Sequence, residues 1–344
     1  MIGPVLARLL DRRPLTPPEV RRTFDVLVAA RSNDAVRVAV LVGLIARPPS
    51  VAELAEFAQE MRRRAVPFPV PAGDRPLDLC GSGGARTPSF NVSTVSAFVV
   101  AAAGVAVVKH GNRSSRGPCG SSDLLEALGL PVIESREFAR ATYRAYRLAF
   151  LHAPLYHPAT RAVVPARKAL GLPTVFNELG PLSNPARISY QLVGVGDPVA
   201  AARAAAVLSH LGRERAVSVT SSEGCDEFSP QHSTYVFEQA GGRVVRTIVY
   251  ARDLLEADDR RGAWGPLPPR DAANEARRIL AGGGGARRGA VLLTAGAGLW
   301  VAGSAPNLAE GVGRAREVLD SGKAEDLLDN VSTVSSRFRQ EGAR

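Results

Sequence analysis

Along the first seventy positions the apolar residues recur at helical spacing. Leu54, Phe57, Ala58 and Met61 follow Ser50-Val51-Ala52-Glu53, a capping box in which hydroxyl and carboxylate satisfy the free amides of a helix start. Thr16-Pro17-Pro18-Glu19 repeats that form with proline in the first turn, and Asp34 opens an apolar helix reaching Leu44. Pro-Phe-Pro-Val-Pro-Ala-Gly-Asp-Arg-Pro over 67–76 is hostile to a helix and predicts a domain boundary. Beyond it the period changes. Leu77–Cys80 reads as a short strand, followed by Gly81-Ser82-Gly83-Gly84, then a helix from about Ser93 or Thr94 to Ala103, ended by Gly104. Val105–Val108 is the next strand, so the segment is a βαβ unit and predicts a parallel sheet. Further strands are predicted at Tyr190–Val195 and Ala216–Thr220, with a helix over Pro198–Leu211 between them. Ser233–Tyr250 alternates about Gly241-Gly242 and reads as a hairpin, and Ala272 to about Phe338 is helical with a break at Gly282–Gly285. The expected class is α/β: a small all-helical domain over 1–70, then a large domain with a mostly parallel sheet flanked by helices.

A chain of 344 residues, 45% hydrophobic and 22% charged, buries enough surface to hold a core without disulfides or metal. Collagen-like, disulfide-framework and disordered classes are excluded. Cys80, Cys119 and Cys225 are widely spaced with no CxxC or zinc pattern, which suits a reduced, cytoplasmic setting. Apolar stretches such as Phe98–Val108 are too short to span a bilayer, so no membrane partner is expected. The net charge of +10 fits either nucleic acid or anionic small molecules such as phosphates. Only Lys109, Lys168 and Lys323 among the 43 basic residues are lysine; the arginines are spread along the chain and form no basic tail. Nucleic acid is therefore the less favoured partner.

Three loops carry candidate chemistry. Gly81-Ser82-Gly83-Gly84, followed by Asn91-Val92-Ser93-Thr94, lets backbone approach a phosphate while a helix start offers amides and hydroxyls. The GxxxxGK[ST] spacing of a P-loop is missing, and a plain glycine turn with Ser/Thr caps is the bland reading. Lys109-His110-Gly111-Asn112-Arg113 falls just past a strand end, where open α/β sheets bind ligands, and offers donors with little negative charge. A solvated basic loop is its bland reading. Asp226-Glu227, after the strand ending near Thr220, can hold Mg²⁺ against a diphosphate, or form an acidic turn.

Taken in order, these loops resemble the anthranilate phosphoribosyltransferases of tryptophan biosynthesis, and the resemblance covers nearly the whole chain. Gly81–Gly84 through Phe90-Asn91-Val92-Ser93-Thr94 is similar to the family's GTGGD…FNIST segment, and Lys109–Arg113 to its KHGNR signature. Gly120–Gly129 (GSSDLLEALG) and Phe150–Ala186 continue the likeness, as do Gly311–Ala315 and Ser321–Ala324. The resemblance implies a nucleoside-phosphorylase-like fold in which about 157–180 joins the 1–70 helices, leaving 71–156 and 181–344 as the phosphoribosyl-binding domain. It implies a homodimer through the helical domain. It implies transfer of a phosphoribosyl group from phosphoribosyl pyrophosphate (PRPP) to the amine of anthranilate. Gly81, Gly83, Gly84, Ser89, Asn91, Ser93, Thr94, Lys109 and Ser121 would bind the donor. Gly81, Asn112, His157 and Arg167 would bind anthranilate. Ser93, Asp226 and Glu227 would hold Mg²⁺, and no general base is assigned. The phosphate loops depart from the family: Ala85 and Arg86 replace its Asp and Gly, Pro88 enters the loop, and Arg116-Gly117-Pro118 replaces paired hydroxyls. These changes make the loops more basic and leave open a different aromatic acceptor or a non-catalytic nucleic-acid-binding relative.

Overall fold

The computed structural model describes residues 2–342 except Gly83, Gly84, Arg86, Ser115, Arg116, Gly241 and Gly242. Two of the loop glycines, the departures Arg86 and Arg116, and the expected hairpin turn therefore lie outside the described residues. Among the described residues, seven strands form one sheet: β1 (Leu77–Gly81), β2 (Val107–Gly111), β3 (Leu148–His152), β4 (Tyr190–Gly194), β5 (Arg215–Ser221), β6 (Ser233–Ala240) and β7 (Arg243–Tyr250). Their order is β3-β2-β1-β4-β5-β6-β7. The first five are parallel, and β6 and β7 are antiparallel, so the mostly parallel α/β class holds. The chain steps outward from β1 to β3, then returns to the opposite side of β1 with β4. That reversal opens a crevice at the carboxyl ends of β1 and β4, the usual ligand position in such sheets.

The parallel strands β1 to β4 are buried almost throughout, whereas β7 at the antiparallel edge is largely exposed. The helix Val92–Ala102 and the almost wholly buried helix Ala286–Val301 pack together beside β1 and β4. The helix Pro198–His210 packs against β5 and bridges to the helix Val51–Arg63. The N-terminal helices Gly3–Leu10, Pro17–Val28, Asp34–Ala46 and Val51–Arg63 share one apolar cluster with Val163, Ala166 and the helix Val175–Leu182. At its centre the Phe24 ring lies 6.5 Å from Phe57 and 6.2 Å from Phe176.

Two sequence expectations need correction. The second strand begins at Val107, not Val105, and continues through Lys109 and His110 to Gly111, so these residues are not in a loop. They pair in register with Phe150 and Leu151 of β3. Their polar side chains find partners there: Lys109 Nζ donates to the Leu79 carbonyl at 2.5 Å, and His110 Nδ1 lies 3.2 Å from the Gly180 carbonyl, while the His110 backbone amide donates to Asp78 Oδ1 at 3.2 Å. The strand Leu148–His152 was not anticipated.

The capping box at Ser50 does more than start a helix. Glu53 accepts from the Ser50 amide at 2.8 Å, the Leu15 amide at 2.7 Å and Arg47 Nη1 at 2.7 Å, joining three segments in a buried place. Burial alone would raise its carboxyl, but Arg47 and the two amides outweigh that and hold its pKa at about 2. Because the folded value is depressed, its contribution is complete above pH 4.5 and is lost as pH falls toward about 2. Glu53→Gln strands a buried guanidinium and is expected to cost about 3–5 kcal/mol at pH 7, with the deficit shrinking toward pH 3. Urea unfolding of both proteins across that range measures it.

Candidate active-site cleft

A cleft of about 790 Å³ opens at the carboxyl ends of β1 and β2. Of the residues singled out from sequence, Gly81, Ser89, Asn91, Ser93, Thr94, Lys109, Asn112, Ser121, Arg167, Asp226 and Glu227 all line it. The strand ends fix the first of these. Gly81 and Gly194 are the paired last residues of β1 and β4. A Cβ on Gly194 would lie 1.6 Å from the Asp226 carbonyl oxygen, and one on Gly81 would lie 2.8 Å from Asp226 Oδ2. Glycine is needed at 194, where the loop after β5 lies directly on the strand end with its backbone; at 81 the close neighbour is the Asp226 carboxylate.

Opposite the carboxylates, Asn91 ends the entry loop and Val92 begins the helix. The Asn91 side chain does not cap this helix; its Nδ2 donates to the Cys119 carbonyl at 3.1 Å. The Ser93 amide donates to Glu227 Oε1 at 3.2 Å, and Lys109 Nζ donates to Ser93 Oγ at 3.1 Å. Lys109, Ser93 and Glu227 thus form one chain of contacts across the strand ends. Burial, and then the adjacent Asp226 charge, push the Glu227 carboxyl up, with Lys109 and Ser93 opposing. A buried, mutually repelling carboxylate pair beside a hydroxyl is an oxygen donor set that a hard divalent cation relieves. Among the described residues no group of three or more His, Cys, Asp and Glu forms a protein cage for a metal. Two carboxylates suit Mg²⁺, which keeps several sites for waters and phosphate oxygens.

Arg167 enters the cleft from the helix Val164–Leu170. Its guanidinium lies over Phe176, 5.4 Å from the ring centre, with Nη2 3.5 Å from Asn177 Oδ1. Among the described residues it has no carboxylate partner, and burial lowers its pKa. An anion reaching it meets an unneutralised planar cation. Phe176, Asn177, Gly180 and Pro181 also line the cleft. Sequence reasoning gave them no role; the signal available was Asn177 at the third position of the helix capped by Thr174.

His157 was expected at the anthranilate wall and is not among the cleft-lining residues. It is 2% exposed and packs behind His110, ring centres 5.1 Å apart. His110 reaches the cleft, with Nδ1 3.2 Å from the Gly180 carbonyl. Burial lowers both, to about 3 for His110 and about 4 for His157, so each stays neutral at pH 7.

Glycine-ended parallel strands, an acidic pair and a helix-borne arginine thus share one crevice, and comparison with known families assigns the chain to a glycosyl-transferring class. The profile described as "Glycosyl transferase family, a/b domain" matches residues 73–325. The anthranilate phosphoribosyltransferase of Persephonella marina is 40% identical over 340 residues, 97% of this chain and 99% of that protein. The crystal structure of the Thermus thermophilus anthranilate phosphoribosyltransferase superposes with a TM-score of 0.88 at 36% identity, covering 96% of this chain and 99% of that one. The Saccharomyces cerevisiae enzyme in complex with PRPP and Mg shares the fold, with a TM-score of 0.84 at 23% identity over 98% of both chains. This chain belongs to the anthranilate phosphoribosyltransferase family.

Gly194→Ala tests the contact on which the acidic loop rests. The added methyl forces the loop away and is expected to destabilise the fold by about 1–3 kcal/mol. It also frees the Ser93 amide from Glu227, read as faster hydrogen exchange at Ser93.

Proposed function

We propose that this cleft joins the amine of anthranilate to C1 of PRPP, giving N-(5-phosphoribosyl)anthranilate and pyrophosphate. The C1–oxygen bond to pyrophosphate breaks, the C1–nitrogen bond forms, and the amine proton leaves to solvent. The observation that carries this reading is the contact chain Lys109–Ser93–Glu227 in a cleft that also receives Arg167.

Gly81, Ser89, Asn91, Ser93, Thr94, Lys109 and Ser121 would hold the donor, with Lys109 facing its negative charge. Gly83 and Gly84 belong to the same assignment but lie outside the described residues. Asp226, Glu227 and the Ser93 hydroxyl would hold Mg²⁺, which when bound neutralises charge on the departing pyrophosphate. Arg167 fixes the anthranilate carboxylate, and Asn112, with Gly81 nearby, orients the acceptor. An aniline nitrogen is uncharged at neutral pH, so alignment at C1 replaces a general base. His110 and His157 serve as neutral wall and backing.

The same reading assigns the enzyme to tryptophan biosynthesis in the cytoplasm. It divides the chain into a helical domain (1–70 with about 157–180) and a phosphoribosyl-binding domain (71–156 and 181–344). It pairs two copies through the helical domain, a pairing supported by Leu10 (81% exposed) and Val42 (46% exposed) on the N-terminal helices. No helix among the described residues is long and apolar enough to cross a membrane.

A pyrophosphate-release assay with anthranilate and PRPP, with and without Mg²⁺, tests the activity. Asp226→Asn with Glu227→Gln is expected to lower Mg²⁺-dependent turnover by about a thousandfold with the circular dichroism spectrum unchanged. Retained turnover would remove the carboxylates from the metal role. Arg167→Ala is expected to raise KM for anthranilate about 10- to 100-fold while KM for PRPP moves by less than about threefold. Equal shifts in both constants would defeat the carboxylate assignment.

A further inference from the structure

Asp123, in the first turn of the helix Ser121–Ala127, is half-buried and is not among the residues lining the cleft. Its carboxylate nevertheless gathers both ends of the loop that forms one cleft wall. Oδ2 accepts from the Ser114 amide at 2.9 Å and from the Gly120 amide at 2.8 Å. Oδ1 accepts from Arg113 Nη1 at 2.7 Å. The ends are in close contact: a Cβ on Gly120 would lie 2.2 Å from the Ser114 nitrogen and 2.8 Å from the Asn112 carbonyl oxygen.

Two site residues depend on that closure. On the donor side, Cys119, next to Gly120, offers the carbonyl that Asn91 Nδ2 contacts at 3.1 Å. On the acceptor side, the Asn112 carbonyl accepts from Ser121 Oγ at 3.1 Å and from the Ser122 amide at 3.2 Å. Ser122 Oγ is in turn 2.9 Å from His152 Nδ1, tying the helix start to the end of β3.

We propose that Asp123 is a positioning residue, which through one loop sets Asn91 against the donor and Asn112 against the acceptor. The proposal deepens the functional reading above and rests on it. Asp123 touches no substrate. It supplies one acceptor group shared by two backbone amides and an arginine, so the loop ends keep their spacing when ligands enter. A neutral amide of the same size cannot do this. Asparagine keeps one acceptor oxygen and turns an NH₂ toward N–H donors. Glutamate is the usual capping-box residue at this helix position and can still reach the Gly120 amide.

The test compares Asp123→Asn, Asp123→Glu and Glu126→Gln in the full-length enzyme. Glu126 pairs with the same arginine, Nη2 to Oε2 at 2.6 Å, and takes no part in closing the loop. Expected is a fall of about 30-fold in kcat/KM for PRPP in Asp123→Asn, a substantial recovery in Asp123→Glu, and less than about a twofold change in Glu126→Gln. Amide exchange at Ser114 and Gly120 in the ligand-free protein is expected to quicken in Asp123→Asn alone. Asp123→Asn activity within about threefold of wild type overturns the proposal. So does an equal loss in Glu126→Gln, or a loss matching the drop in folded protein. If the wild type releases no pyrophosphate with anthranilate, the functional reading fails. The exchange data then still decide whether Asp123 closes the loop.

Discussion

The site depends on one steric constraint: the polypeptide after β5 must lie on the last residues of β1 and β4. Gly81 and Gly194 face each other in register, and Asp226 covers both. A side chain at Gly194 would collide with the Asp226 backbone itself, which cannot rotate away as a side chain can. This contact brings a pair of carboxylates into a crevice also lined by Lys109, Arg113 and Arg167. The β-order reversal beside β1 supplies the opening, and the glycine pair lets the carboxylates come down to the depth of Ser93 and Lys109.

The cleft sets a buried carboxylate pair beside a buried ammonium. Glu227 sits where burial and Asp226 both oppose its ionisation. Lys109 lies beside it, 3% exposed, with its ammonium bound to Ser93 and the Leu79 carbonyl. Removing water around such groups strengthens every remaining interaction, so an ordered set of donors stabilises developing charge more than mobile solvent does. The formal surplus of +10 is a weaker guide than this local pattern. Surface arginines such as Arg278, paired with Glu275, and Arg113, paired with Asp123, are partly neutralised, and their contribution to binding is screened.

Much of this was legible in the sequence because short-range chemistry fixed it. Both capping boxes formed at Thr16 and Ser50, since hydroxyl and carboxylate spacing alone decides them. Strands β1, β4 and β5 fell where short apolar runs were expected. The β2 boundary was misplaced because Lys109-His110 looks like a loop when read locally. Its burial depends on Leu79, Asp78 and the β3 partner residues, distant in sequence. The strand Leu148–His152 carries a short apolar run, Leu-Ala-Phe-Leu, like that of β1, so its signal was present in the sequence although the strand was not anticipated. The cleft residues were named through motif order. The depth of His157 depends on how His110 packs over it, which no local pattern encodes.

The division of labour in the cleft follows from where each polar group is anchored. The strand ends and the helix Val92–Ala102 that carry Gly81, Ser93 and Lys109 pack mainly into the central core, with Cys80 and Val193 reaching the N-terminal cluster. Arg167 comes instead from a helix whose apolar neighbours belong to the N-terminal cluster. Its guanidinium rests on Phe176, and Phe176 packs on Phe24 in that cluster. The strand-end wall and the Arg167 cation are therefore braced largely by two hydrophobic clusters that meet across β1 and β4, where Leu79 and Leu192 face one and Cys80 and Val193 the other. The half-buried Glu178–Arg203 pair ties the helix Val175–Leu182 to the helix Pro198–His210, which lies against the sheet. The reaction proposed above needs those two walls in register. In that proposal the packing that holds the two clusters together aligns the amine with C1.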